Sequence, residues 1–67
     1  MINLMVNGEA CACEPGASLA DLLSRLKIDP GLVVVELNRG IVRPEAFGQT
    51  RLADGDQLEI IQMMGGG

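Results

Sequence analysis

Asn7-Gly8 limits the fold of this 67-residue chain more than any other feature. The pair stands between two short stretches of alternating character, Ile2 to Val6 and Glu9 to Cys13. Both central residues of a type I′ turn need positive φ, which Asn and Gly tolerate, so the pair predicts a tight hairpin. The turn also sets the register: Val6 faces Glu9, Leu4 faces Cys11 and Ile2 faces Cys13. Opposed residues share a face, so both cysteines join Ile2 and Leu4 on the core side. Ala10 and Ala12 fall outside, beside Asn3 and Met5.

The hairpin accounts for the cysteines without any chemistry. Two positions apart on a strand, they are held too extended for an easy disulfide. Two thiols in a chain without histidine make a poor zinc site. Cys11 and Cys13 therefore read as small, reduced core residues, and no bound metal or cofactor is expected. The absence of histidine also removes the commonest general base, so a self-sufficient enzyme is not expected.

Beyond Pro15-Gly16, Ser18 is a good helix N-cap, and Asp21 three residues later can close a capping box. Leu19, Leu22, Leu23 and Leu26 recur at helical spacing and form one apolar stripe. The spacing predicts a helix of about ten residues, too short to be stable alone. Arg25 and Lys27 suit its last turn, and Pro30-Gly31 prevents its continuation. Leu32 to Leu37, with three consecutive valines, reads as a strand buried on much of both faces. Asn38-Arg39-Gly40 turns the chain into the short apolar piece Ile41-Val42. Pro44 to Phe47 reads as one irregular or 3₁₀ turn, with Phe47 plugging the side of the core. Thr50 to Ala53 predicts an extended segment carrying Leu52. Asp54-Gly55-Asp56 is a turn, and Gln57 to Met64 the last strand, in which Leu58 and Ile60 alternate with Glu59 and Ile61.

Composition bounds what these parts can build. Apolar residues make up 48% of the chain and Phe47 is the sole aromatic, so the core is aliphatic. A chain this short buries only about 60% of its unfolded surface, so nearly every apolar position must contribute. The economical solution is α+β: one mixed sheet with a single helix packed across it, the first and last strands side by side and parallel at its centre. The domain is expected over residues 1–64, with a flexible tail at 65–67. A net charge of −4 without a basic run argues against nucleic-acid binding and favours a basic groove on a protein partner. No signal peptide or membrane span is evident, and a soluble cytoplasmic protein, monomeric when free, is the expectation.

The chain ends Met63-Met64-Gly65-Gly66-Gly67. Three glycines offer nothing to packing, so they serve either as a frayed end or as a thin arm that delivers the α-carboxylate elsewhere. Three extended residues reach roughly 10 Å, enough to enter another protein while the body stays outside. Met63 and Met64 are either the plain end of a strand or, with Ile61, an apolar strip for docking. Asp54 and Asp56 read as turn residues rather than a catalytic pair. Arg39, Arg43 and Arg51 read as scattered surface charges.

These residues together resemble a known family. The Val6-Asn7-Gly8-Glu9 hairpin, the Leu19–Leu26 helix and Val35-Glu36-Leu37-Asn38 with Ile41-Val42 are similar to the ubiquitin-like β-grasp fold. With Asp54-Gly55-Asp56, Leu58-Glu59-Ile60-Ile61 and the terminal Gly66-Gly67, they resemble ThiS-type sulfur carriers of thiamin biosynthesis. The resemblance spans almost the whole chain, and Gly65 lengthens the usual Gly-Gly end by one residue. It implies that a ThiF-type enzyme uses ATP to adenylate Gly67, and that a sulfur donor protein supplies the sulfur of a thiocarboxylate there. It further implies that a ThiG-type thiazole synthase receives this sulfur, with Gly65 and Gly66 in the partner's channel. The same architecture leaves three other roles open: the small subunit of molybdopterin synthase, a ubiquitin-like modifier, and a β-grasp binding module with an idle tail.

Overall fold

The turn residues do what their φ preferences dictate. In the computed structural model, which describes residues 1–63, Asn7 and Gly8 take φ of 51° and 82°. They join β1 (Ile2–Val6) to β2 (Glu9–Cys13) in the expected register, Ile2 opposite Cys13, Leu4 opposite Cys11 and Val6 opposite Glu9. Leu4 and Cys13 are buried, Cys11 is half-buried against the core, and Ala10 and Ala12 are exposed.

Helix α1 (Leu19–Arg25) begins at a complete capping box. The Asp21 N–H donates to the Ser18 hydroxyl and the Ser18 N–H to the Asp21 carboxylate, each at 3.0 Å. The helix is seven residues long, shorter than its sequence pattern predicts, and Lys27 rather than Pro30 is what stops it. Lys27 takes φ 60°, its N–H donates to the Ser24 carbonyl, and the Ile28 N–H reaches back to Leu23. This is a Schellman closure with a lysine where glycine is usual. Leu26 becomes the C-cap and is 38% exposed, so only Leu19, Leu22 and Leu23 form the buried stripe.

β3 (Val33–Leu37), β4 (Gly40–Val42) and β5 (Gln57–Gln62) complete one five-stranded sheet in the order β2-β1-β5-β3-β4. β1 and β5 run parallel side by side, and the other neighbours are antiparallel. Asn38 and Arg39, at φ 51° and 73°, make the turn between β3 and β4. Leu32 belongs to a short 3₁₀ helix (Pro30–Leu32) rather than to the strand, and is 46% exposed. β3 is buried on one face only: Val33 and Val35 are core, while Val34 and Glu36 are half-buried. One helix covers one face of a sheet, so the other face of β3 stays open.

The segment from Pro44 to Gln49 is a 3₁₀ helix longer than one turn, and it presses Phe47, 3% exposed, into the core. Thr50 to Ala53 forms no strand. Its Leu52 is buried, and the segment is stitched to the helix entrance by a single bridge between Ser18 and Arg51. The partners there lie in the loop before α1, which has no further rung to offer. β5 ends at Gln62, short of the predicted Met64; the 64/65 domain boundary lies outside the described residues. Among the described residues no helix is long and apolar enough to cross a membrane.

Candidate functional site

β5 is the element that leads to the C-terminus, and its alternation gives it two different faces. Leu58 and Ile60 point to the core, while Glu59 and Ile61 lie on the face opposite the helix. Ile61 is 51% exposed and stands across from Val34 of β3. Met63, just past the strand, is 53% exposed, and its N–H donates to the Leu32 carbonyl at 2.8 Å. Two of the three residues expected to form a docking strip are thus surface apolar groups. Met64, Gly65, Gly66 and Gly67 lie outside the described residues.

The strip continues across the sheet. Ile41 of β4 is 70% exposed opposite Glu36, and Glu36 in turn faces Glu59. Met5 of β1 is on the same face and lines a shallow groove of about 270 Å³ with Glu36, Arg39, Gln57 and Glu59. The open face therefore carries apolar side chains around a pair of carboxylates. Such a surface suits a partner that offers apolar contact and positive charge together.

Side-chain amides hold β5 in place. Asn38 accepts from the Gln57 N–H at 3.0 Å and donates to Asp56 at 3.0 Å, fixing the start of the strand. Asn7 grips Ile60 further along, accepting from its N–H at 2.7 Å and donating to its carbonyl at 3.2 Å. The Asp54 and Asp56 carboxylates also face backbone: Asp54 accepts from the Asn3 N–H at 2.7 Å and Asp56 from the Ala53 N–H at 2.8 Å. Asp54 thus ties its turn to β1, while Asp56 closes that turn on itself and meets Asn38 of the β3–β4 turn, a stronger structural role than a solvated turn.

The thiols sit away from this face. Arg25 donates to the Cys11 sulfur at 3.5 Å and to the Ala12 carbonyl. Burial pushes the Cys13 thiol up from its ordinary value, the nearby Arg25 charge pulling the other way, so it stays protonated at neutral pH. Both cysteines are free.

Comparison with known proteins agrees with this architecture. The ThiS family model matches residues 4–67, nearly the full chain. The chain belongs to the ThiS family. The crystal structure of the thiamine biosynthesis protein ThiS from Geobacter metallireducens matches with a TM-score of 0.85 at 39% identity, covering 98% of this chain and 100% of that one. This places the chain in the ubiquitin-like β-grasp fold. The sulfur carrier protein ThiS of Bacillus subtilis is 34% identical over 50 residues, 75% of this chain and 76% of that protein. A thiazole synthase of Paramagnetospirillum magneticum is 36% identical over 66 residues, 98% of this chain but only 20% of that protein's length. The whole ThiS-like unit thus corresponds to one part of a larger synthase.

Sequence reasoning missed Asn7 and Asn38 as clamps on β5, and Val34 and Ile41 as members of the open face. The asparagines read as turn residues, which they are, and their second role depends on a strand some fifty positions away for Asn7. Val34 lies within a run of three valines that reads as buried on much of both faces.

Proposed function

We propose that this chain carries sulfur on Gly67 for thiazole formation. In the first step the Gly67 carboxylate attacks the α-phosphorus of ATP, held by a ThiF-type activating enzyme, and pyrophosphate leaves. In the second, sulfur at the sulfide level attacks the acyl carbon, the acyl–phosphate bond breaks, and AMP departs with the electron pair. The product is a thiocarboxylate. A persulfide donor instead gives an acyl disulfide, which a thiol reductant opens to the same product.

The chemistry requires activation because an α-carboxylate, with a pKa of about 3.5, is ionised and a poor electrophile at neutral pH. On this proposal the catalytic groups belong to the partners, beginning with the ATP site of the activating enzyme. The observation that carries the reading is the match of the ThiS family model through residue 67, which includes the Gly-Gly end. The kinship with part of a thiazole synthase favours such a synthase as the recipient. Ile61, Met63 and Met64, extended by Val34 and Ile41, are the proposed docking strip, and Gly65 and Gly66 the segment that threads the partner's channel. ATP is used by the activating enzyme and is not a resident cofactor of this chain.

The test is to delete all three terminal glycines, or to append one residue after Gly67, and follow pyrophosphate release with the activating enzyme. Either change should abolish release while the thermal melt stays as in the parent. Release that continues unchanged would remove Gly67 from the chemistry.

A further inference from the structure

Main-chain pairing between β1 and β5 stops at Val6 and Leu58, yet β5 continues to Gln62. On its other side pairing with β3 persists to Gln62 opposite Val33, and Met63 still bonds Leu32. A parallel ladder advances two residues per rung. Here the Met5 N–H donates to the Asp56 carbonyl and the Asn7 N–H to the Leu58 carbonyl. The next rung would use the Asn7 carbonyl for the Ile60 N–H and the Glu9 N–H for the Ile60 carbonyl. The turn at Asn7 carries both away. The Asn7 carboxamide fills both places: Oδ1 accepts from the Ile60 N–H and Nδ2 donates to the Ile60 carbonyl. A carboxamide is a peptide group in miniature, with one acceptor and donors beside it. Aspartate lacks the donor and glycine lacks both.

We propose that Asn7 is a positioning residue for the chemistry at Gly67. Its carboxamide adds a rung that, together with the pairing to β3, holds β5 in place beyond Leu58, the strand that carries the chain on toward Gly67. The inference rests on the carrier reading above. It differs from a turn-forming role because glycine also accepts φ 51°, so Asn7→Gly keeps the turn and removes only the rung.

The experiment compares the parent, Asn7→Gly and Asn7→Asp as substrates of a ThiF-type activating enzyme, measuring pyrophosphate release, together with amide exchange at Ile60. Because this chain is the substrate, partial unfolding only lowers the effective substrate concentration. That raises the apparent KM and spares kcat. Loss of aim lowers kcat, since small misplacements of a reacting group are costly, and about a tenfold fall is expected for Asn7→Gly with KM within about twofold. Exchange at Ile60 should quicken while that of Leu22 in the helix stays slow. Asn7→Asp, which retains the acceptor but sets a carboxylate against the Ile60 carbonyl, should also lose kcat. Parental kcat in either variant would overturn the positioning role, whatever happens to KM. A parent protein that supports no release overturns the carrier reading, and this role of Asn7 with it.

Discussion

Glu36 and Glu59 stand directly opposite one another across β3 and β5, on the face of the sheet away from the helix. Like charges at opposed positions of an antiparallel pair are destabilising, so this arrangement works against the free protein. A cation brought by a partner would relieve it. Glu59→Lys should therefore raise stability by up to about 1 kcal/mol, or about 4–8 °C in melting temperature for a domain this size. Molar salt should erase most of the gain. The same change should raise KM with the activating enzyme. A melt that does not move at low salt would show that the two carboxylates are already screened.

The helix entrance makes a separate prediction. Ser18→Ala removes the cap oxygen and should cost about 1 kcal/mol, read as a lowered melting temperature.

The capping box also has a pH signature. The Ser18 N–H, and after it the Ser18 hydroxyl, hold the Asp21 carboxyl below its ordinary value. A carboxyl depressed in the folded state stabilises above its unfolded pKa and loses that contribution as pH falls through the folded one. The difference in stability between the parent and Asp21→Asn should thus be full at pH 7 and shrink below about pH 4, where unfolded aspartate begins to protonate. Melts across pH 2–7 check the sign.

At the other end of the helix, Lys27 occupies the left-handed region that glycine prefers. That conformation costs a residue with a Cβ roughly 1 kcal/mol or more, partly offset by the greater freedom of an unfolded glycine. Lys27→Gly should raise the melting temperature by a few degrees on that balance.

The two thiols should behave differently toward an alkylating reagent. Cys11 is half-buried and Cys13 is 2% exposed, so Cys11 should be modified in the native protein while Cys13 waits for the fold to open. The raised Cys13 pKa adds a high-pH effect: stability is full below the unfolded thiol value and falls as pH rises through the folded one. Peptide mapping after brief alkylation distinguishes the two sites.

Most of the fold was legible because its main signals are local. Asn7-Gly8 determined a hairpin register, and Ser18 with Asp21 marked the helix entrance, since turn and cap preferences act within four residues. What was not legible depends on distant partners. The helix end turned on a lysine accepting a glycine's conformation. Leu26, at the helix C-cap, and Leu32, in the 3₁₀ helix before β3, are exposed although their apolar character suggested core. Thr50 to Ala53 had strand-like character but met only the loop before the helix. For the candidate site, Ile61 and Met63 could be named from the end of the last alternation. Val34 and Ile41 could not, because their membership of the same face follows from sheet order.

Gly67 is the group on which partner enzymes are proposed to act, and intact mass reads that chemistry at first hand. The protein is incubated with a ThiF-type activating enzyme, ATP and a sulfur donor, in parallel with the chain lacking residues 65–67. The full chain should gain the mass that replaces one oxygen by sulfur, and the shortened chain should not. An unchanged mass for the full chain, with the activating enzyme shown to be active on another carrier, would contradict the account.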